Sequence, residues 1–121
     1  NEFDDMEDFE DFIPDMFDKV AIIVKPKQPL IDWVNKLDPK NPMSLDDFFD
    51  CNTYLFSDDE YDIAGKADAE MFVELNFIEI FEQELMDLWT DTDAWPDSVN
   101  FEMFKEWFEY HVSSVVYDFG G

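Results

Sequence analysis

Arginine is absent from this sequence, and 7 lysines supply all of its basic side chains. Five of them, from Lys19 to Lys40, fall in one short stretch; only Lys66 and Lys105 lie beyond it. A chain this poor in cations cannot neutralise a row of phosphates. That excludes direct nucleic-acid binding through a basic surface, and attachment to anionic membrane for the same reason. Cysteine occurs once, as Cys51, which excludes an intramolecular disulfide framework. No run of about 18 apolar residues is present, and no basic start followed by an apolar stretch. Neither a membrane span nor a secretory leader is expected, and a cytoplasmic location is. The motifs CxxC, HExxH, GxSxG and the P-loop are all missing.

What the chain has in excess is carboxylate: 32 Asp and Glu residues, for a net charge of −25 over 121 residues. It is nonetheless 46% hydrophobic and 18% aromatic, where a disordered chain would be poor in aromatics. The length suits one domain with a modest core. A charge this large opposes compaction by self-repulsion, so it reflects something besides folding. Solubility in a salt-rich setting is one account; a surface that steers toward a basic partner is the other.

The longest periodic stretch, Asp68–Thr90, lacks Gly and Pro. Its Met71, Phe72, Leu75, Ile78, Phe81, Leu85, Leu88 and Trp89 recur in steps of three and four, which predicts a long helix with those residues on its buried face. The acids between them predict a purely acidic opposite face. Lys19–Lys25 (KVAIIVK) predicts a central buried strand, ended by Pro26. Leu30–Leu37 predicts a helix closed by Asp38-Pro39. Ser44 and Asp47 have the spacing of a capping box before a short helix through Phe48 and Phe49. Thr53–Phe56 predicts a second strand, and residues 57–66 an exposed loop. Asn100 is a plausible cap for a helix over Phe101–Val112, and Ser113–Phe119 predicts a third strand. The sum is an α+β domain over residues 19–121, a small three-stranded β-sheet covered by amphipathic helices. Residues 1–18 carry nine acids and no base, yet Phe3, Met6, Phe9, Phe12 and Met16 keep helical spacing, which Pro14 is expected to break or kink. This segment is either a short helix on the protein's own core or a docking peptide for a partner or a second copy, with Phe3, Met6, Phe9 and Phe12 as its contacts.

The stretches DKVAIIVKPKQPLIDWVNKLDP, IFEQELMDLWTDTDAWP and FKEWFEYHVSSVVYDF resemble a group of small acidic bacterial proteins of unknown function, over about residues 18–119. The resemblance implies a bacterial cytosolic protein and carries no activity or site residues with it.

Catalytic constellations are hard to assemble from this inventory. His111 falls late in a predicted helix, where a core-edge or capping role fits better than general base. Cys51 has no basic neighbour in sequence to activate it. Asp58, Glu60 and Asp62 start like a calcium loop, but Ile63 stands where Gly is needed and Ala69 where the closing Glu belongs. Asp91, Asp93 and Asp97 match as incompletely. With so many acids, paired carboxylates for glycoside chemistry are not a discriminating signal. No cofactor and no metal is expected.

The acidic helix is the more informative feature. Carboxylates at Glu70, Glu74, Glu79, Glu82, Glu84 and Asp87 recur at about one per 5.4 Å turn. Together with Asp91 and the loop residues Asp58, Asp59 and Glu60 they form the expected partner-binding surface. Solvation of an amphipathic helix explains the acids but not the missing cations, which would solubilise equally well and form i,i+4 pairs. The leading expectation is therefore a non-enzymatic binding protein for a basic protein partner, most specifically a DNA mimic or an inhibitor of a DNA-binding protein or nuclease, such as an immunity protein. A small acidic secretion-type chaperone, holding its partner through aromatic surface and dimerising, is the alternative; adaptation to high salt is the third.

Overall fold

The computed structural model describes residues 15–17, 19–57 and 63–119, so the contacts expected at Phe3, Met6, Phe9 and Phe12 and at Asp58, Asp59 and Glu60 lie outside the described residues. The elements run β1 (Asp15–Phe17), β2 (Lys19–Pro26), α1 (Gln28–Leu37), a 3-10 turn (Leu45–Phe48), β3 (Asn52–Ser57), α2 (Lys66–Leu88), a second 3-10 turn (Thr92–Ala94), α3 (Phe101–Trp107), β4 (Phe108–Ser113) and β5 (Val116–Asp118). The expected α+β domain with a three-stranded sheet is what forms. Its strand order is β3-β2-β4, all antiparallel, and a separate two-stranded ribbon pairs β1 with β5. Among the described residues no helix is long and apolar enough to cross a membrane.

β2 is central because it is the one strand apolar enough to be covered. Val20, Ile22 and Val24 are buried on its inner face, and α2 supplies most of the rest of the main core, joined by Leu30 of α1, Phe104 of α3 and Phe108 of β4. The register gives the inner face its rows. Val24 lies between Asn52 and Tyr110, Ile22 between Tyr54 and Val112, and Val20 opposite Phe56. Alternation therefore points Asn52 and Tyr54, two polar residues, under the helices.

Two expectations need correction. The predicted Phe101–Val112 helix stops at Trp107, and residues 108–113 form the third strand of the sheet; the predicted Ser113–Phe119 strand holds only β5. The spacing of Phe101, Phe104 and Phe108 fits a helix, but Phe108, Tyr110 and Val112 also alternate with Glu109 and His111. β-branched and aromatic residues favour the extended form once β2 offers hydrogen bonds. Lys27 completes the change. Its N–H donates to the Trp107 carbonyl at 2.8 Å and its Nζ to the Lys105 carbonyl at 2.9 Å. These donors supply what the next helical turn would have given to the orphan carbonyls. Asn100 does cap the start of α3, its Oδ1 accepting from the Met103 N–H at 2.8 Å. Past Pro14, where the helical spacing was expected to break or kink, the chain is extended in β1 and paired to β5.

The second correction concerns which side of α2 is buried. Phe72, Val73, Phe77, Ile80, Phe81, Glu84 and Leu85 face the core. Met71, Leu75 and Ile78, expected inside, are 61%, 61% and 50% exposed. Apolar residues fall on both the buried and the open side of the helix, so step size alone does not select the buried arc. The aromatic residues decide it. Phe81 meets Phe108 edge-on at 5.1 Å between ring centroids, Trp107 at 5.5 Å and Phe104 at 6.0 Å, and Phe72 meets Phe56 edge-on at 5.4 Å.

Phe81→Ala should destabilise the domain by about 3–5 kcal/mol, the usual cost of emptying a phenylalanine site, while Met71→Ala should change stability by less than about 0.5 kcal/mol. Urea unfolding followed by far-UV circular dichroism measures both; equal losses would show that the buried arc of α2 is wrongly assigned.

Candidate functional site

The expected partner-binding acids separate into three groups in space. Glu74, Glu79 and Glu82 are exposed on the open side of α2. They share it with Met71, Leu75, Ile78 and Met86, which together with Glu82 form a stripe at i, i+4, i+7, i+11 and i+15. None of these three carboxylates has an ion pair among the described residues. The open side is thus not purely acidic, as expected, but an apolar stripe among unpaired carboxylates.

Glu70 turns toward α3 instead. Its carboxylate is 3.7 Å from Lys105 Nζ, and Glu102 holds the same ammonium at 2.9 Å. The Glu102 hydrogen bond, ahead of the charges around it, raises the Lys105 pKa. Lys105 also lies 4.8 Å over the Phe101 ring. Glu70 has a cation already and is the weakest candidate for a partner contact. Asp91 is likewise engaged, its Oδ1 accepting from the Asp93 N–H at 3.0 Å to cap the second 3-10 turn.

Glu84 is a correction. The spacing placed it on the acidic surface, yet only 4% of it is exposed. It belongs to the buried arc of α2 and lies over the inner face of β3. Asn52 Nδ2 donates to Glu84 Oε2 at 2.5 Å, while Oε1 is buried with no hydrogen-bond partner. Burial raises the Glu84 pKa, opposed by the hydrogen bonds from Asn52 and Tyr54; the nearby Asp87 charge adds to the rise. The same setting pushes the Tyr54 phenol well above its ordinary value, through burial first and the charge of Glu84 second. Burial outweighs those hydrogen bonds, so the carboxylate is held where its neutral form is favoured.

Beside Glu84 the structure opens a cavity of about 280 Å³. Asp47, Asp50, Glu84 and Asp87 line it with carboxyl groups, Asn52 adds an amide, and Leu30, Phe48 and Leu88 supply apolar wall. No lysine lines it. Asp47 is partly committed: its Oδ2 accepts from the Ser44 N–H at 2.9 Å, the expected capping-box contact. Asp87 accepts from Gln83 Nε2 at 2.9 Å. Sequence reasoning missed Asp47, Asp50 and Asn52 as site residues. The signal was an inward strand position occupied by Asn52, but the predicted strand began one residue later. Among the described residues no group of three or more His, Cys, Asp or Glu is arranged to hold a metal ion.

The remaining chemistry-bearing side chains stand apart. His111 lies on β4, not late in a helix, so the helix-dipole argument for it fails; it is largely exposed, with Nε2 3.5 Å from Glu109. Cys51 is exposed just before β3.

Glu84→Gln should raise stability at neutral pH by about 1–3 kcal/mol, the scale of relieving a buried unsatisfied polar group. The sign follows from the raised pKa. The protonated form is preferred in the fold, so its contribution is whole below the unfolded value near 4.3 and is lost as pH rises through the higher folded value. The gain from Gln should therefore shrink toward zero near pH 4, measured as the difference in thermal midpoints across a pH series. A gain that grows toward acid would contradict it.

A scan of the chain against protein-family models found no match, and searches of curated proteins and of solved structures found none either.

Proposed function

We propose that this chain is a non-enzymatic acidic binding protein whose partner is a basic protein, engaged through the open side of α2. The observation that carries the reading is the set of exposed, unpaired carboxylates at Glu74, Glu79 and Glu82 on one rigid helix, in a chain of net charge −25. Ion pairs with a partner's lysines or arginines would recover interaction that the protein's own sequence withholds. The summed field would also draw such a partner in from a distance.

The most specific form is a DNA mimic, or an inhibitor of a DNA-binding protein or nuclease. Rows of carboxylates on a stiff helix offer such a protein what a phosphate backbone offers it. A chaperone-type reading gains from a different observation. Met71, Leu75 and Ile78 are exposed in the same stripe, and apolar area rimmed by charge is a common mark of a protein-binding surface. The two readings share the surface and differ in what dominates the contact.

The triple variant Glu74→Lys, Glu79→Lys and Glu82→Lys should fold normally and lose the partner. Affinity of the wild type should fall by about tenfold or more on raising salt from low to moderate ionic strength, because exposed charge pairs are screened. Duplex DNA should displace the partner if it is a DNA-binding protein. Binding that survives high salt and is abolished by Met71→Ser with Leu75→Ser supports the chaperone-type reading. Binding untouched by both variants sets α2 aside as the contact surface.

A further inference from the structure

We infer that the cavity beside Glu84 is an anchor pocket for one alkyl-guanidinium or alkyl-ammonium group, a single arginine or lysine side chain of a protein partner. This deepens the reading of the chain as a binder of basic protein and rests on it, but it concerns another part of the surface. Glu74, Glu79 and Glu82 lie on the open side of α2, whereas Glu84 and Asp87 approach the edge of β3.

Three features of the cavity point to this class of ligand. At about 280 Å³ it is below the usual range of small-molecule clefts, yet has room for one long side chain. Its wall is mixed in the way a basic side chain is mixed. Leu30, Phe48 and Leu88 would cover an aliphatic stem, and carboxyl groups would surround the cationic head. The third feature is independent of the number of acids. Glu84 forms part of the wall, is more than nine-tenths buried, and holds one carboxyl oxygen with no donor. A buried acceptor without a partner is costly, and a charged N–H group is the donor that compensates it best. A metal ion fits less well, because among the described residues no three His, Cys, Asp or Glu side chains are arranged to hold one.

Binding of the cation favours the ionised form of Glu84, whose proton leaves to solvent. The groups facing Glu84 are Asn52 and Tyr54 from β3 and Asp87 from its own helix; Asp47 and Asp50 join them around the cavity from the segment before β3. Since burial raises the Glu84 pKa, affinity should increase as pH rises through that value and then level off.

The test is an NMR titration of the full chain with the blocked peptide Gly-Arg-Gly, with Gly-citrulline-Gly as the neutral control. The expected result is saturable shifts at the Asn52 side-chain amide, Leu30, Phe48 and Leu88, absent with citrulline. Affinity should drop about tenfold or more in Asp50→Asn with Asp87→Asn, two exposed positions whose loss leaves the core intact. Glu84→Gln should flatten the pH dependence. Shifts that spread over all acidic surfaces without saturating, or that are unchanged in the double variant, would overturn the proposal. So would saturation of the same residues by calcium, or by a free diamine in preference to the peptide. The outcome separates from that of the surface reading. Peptide binding at the cavity with the α2 triple variant still competent for its partner sinks only the α2 surface; salt-sensitive partner binding with a silent cavity sinks only the pocket.

Discussion

The packing of Phe81 against Phe104, Trp107 and Phe108 is the contact on which the rest of the molecule depends. It joins the long helix, the short helix and the third strand at one point. A chain carrying a net charge of −25 is under outward electrostatic strain wherever its surface is folded together. Non-directional apolar burial is the force that opposes this without requiring cations, and aromatic side chains bury the most area per residue. The richness in phenylalanine and the poverty in lysine are therefore two sides of one solution. Two of the cations are used for structure: Lys27 closes the end of α3, and Lys105 gathers Glu70 and Glu102.

The acids do not form one population. Some cap turns, as Asp47 and Asp91 do with backbone N–H groups. Glu70 and Glu102 share an ammonium. Glu84 is taken into the interior, where its charge is disfavoured, and Glu74, Glu79 and Glu82 are left facing solvent. Composition counts all of these alike. Only the last two groups hold interaction capacity that the protein itself does not use, and they lie on different sides of the same helix.

How much of this was legible in sequence depended on whether the local pattern had one solution. Lys19–Pro26 did: five consecutive apolar residues between lysines, in a run too short for a helix, have few places but the centre of a sheet. The caps at Asn100 and Ser44 were equally readable, because capping is local chemistry. The break at Trp107 was not, since Phe101, Phe104 and Phe108 satisfy helical spacing, and what ends the helix is Lys27, eighty residues earlier in the chain. The buried arc of α2 was ambiguous for a related reason. Met71, Leu75 and Ile78 are as apolar as the residues chosen, and only the positions of Phe104 and Phe108 break the tie. Glu84 followed that error. Once the arc is rotated, it falls inside, above an asparagine that strand alternation had also turned inward.

The antiparallel ribbon of β1 and β5 brings Asp15 opposite Asp118, so the described chain starts and finishes side by side. Force applied through those two ends would load the ribbon as a zipper, its few hydrogen bonds opening one after another, and would reach the three-stranded sheet only afterwards. The domain is thus built to be mechanically soft at its margin and firm at its centre.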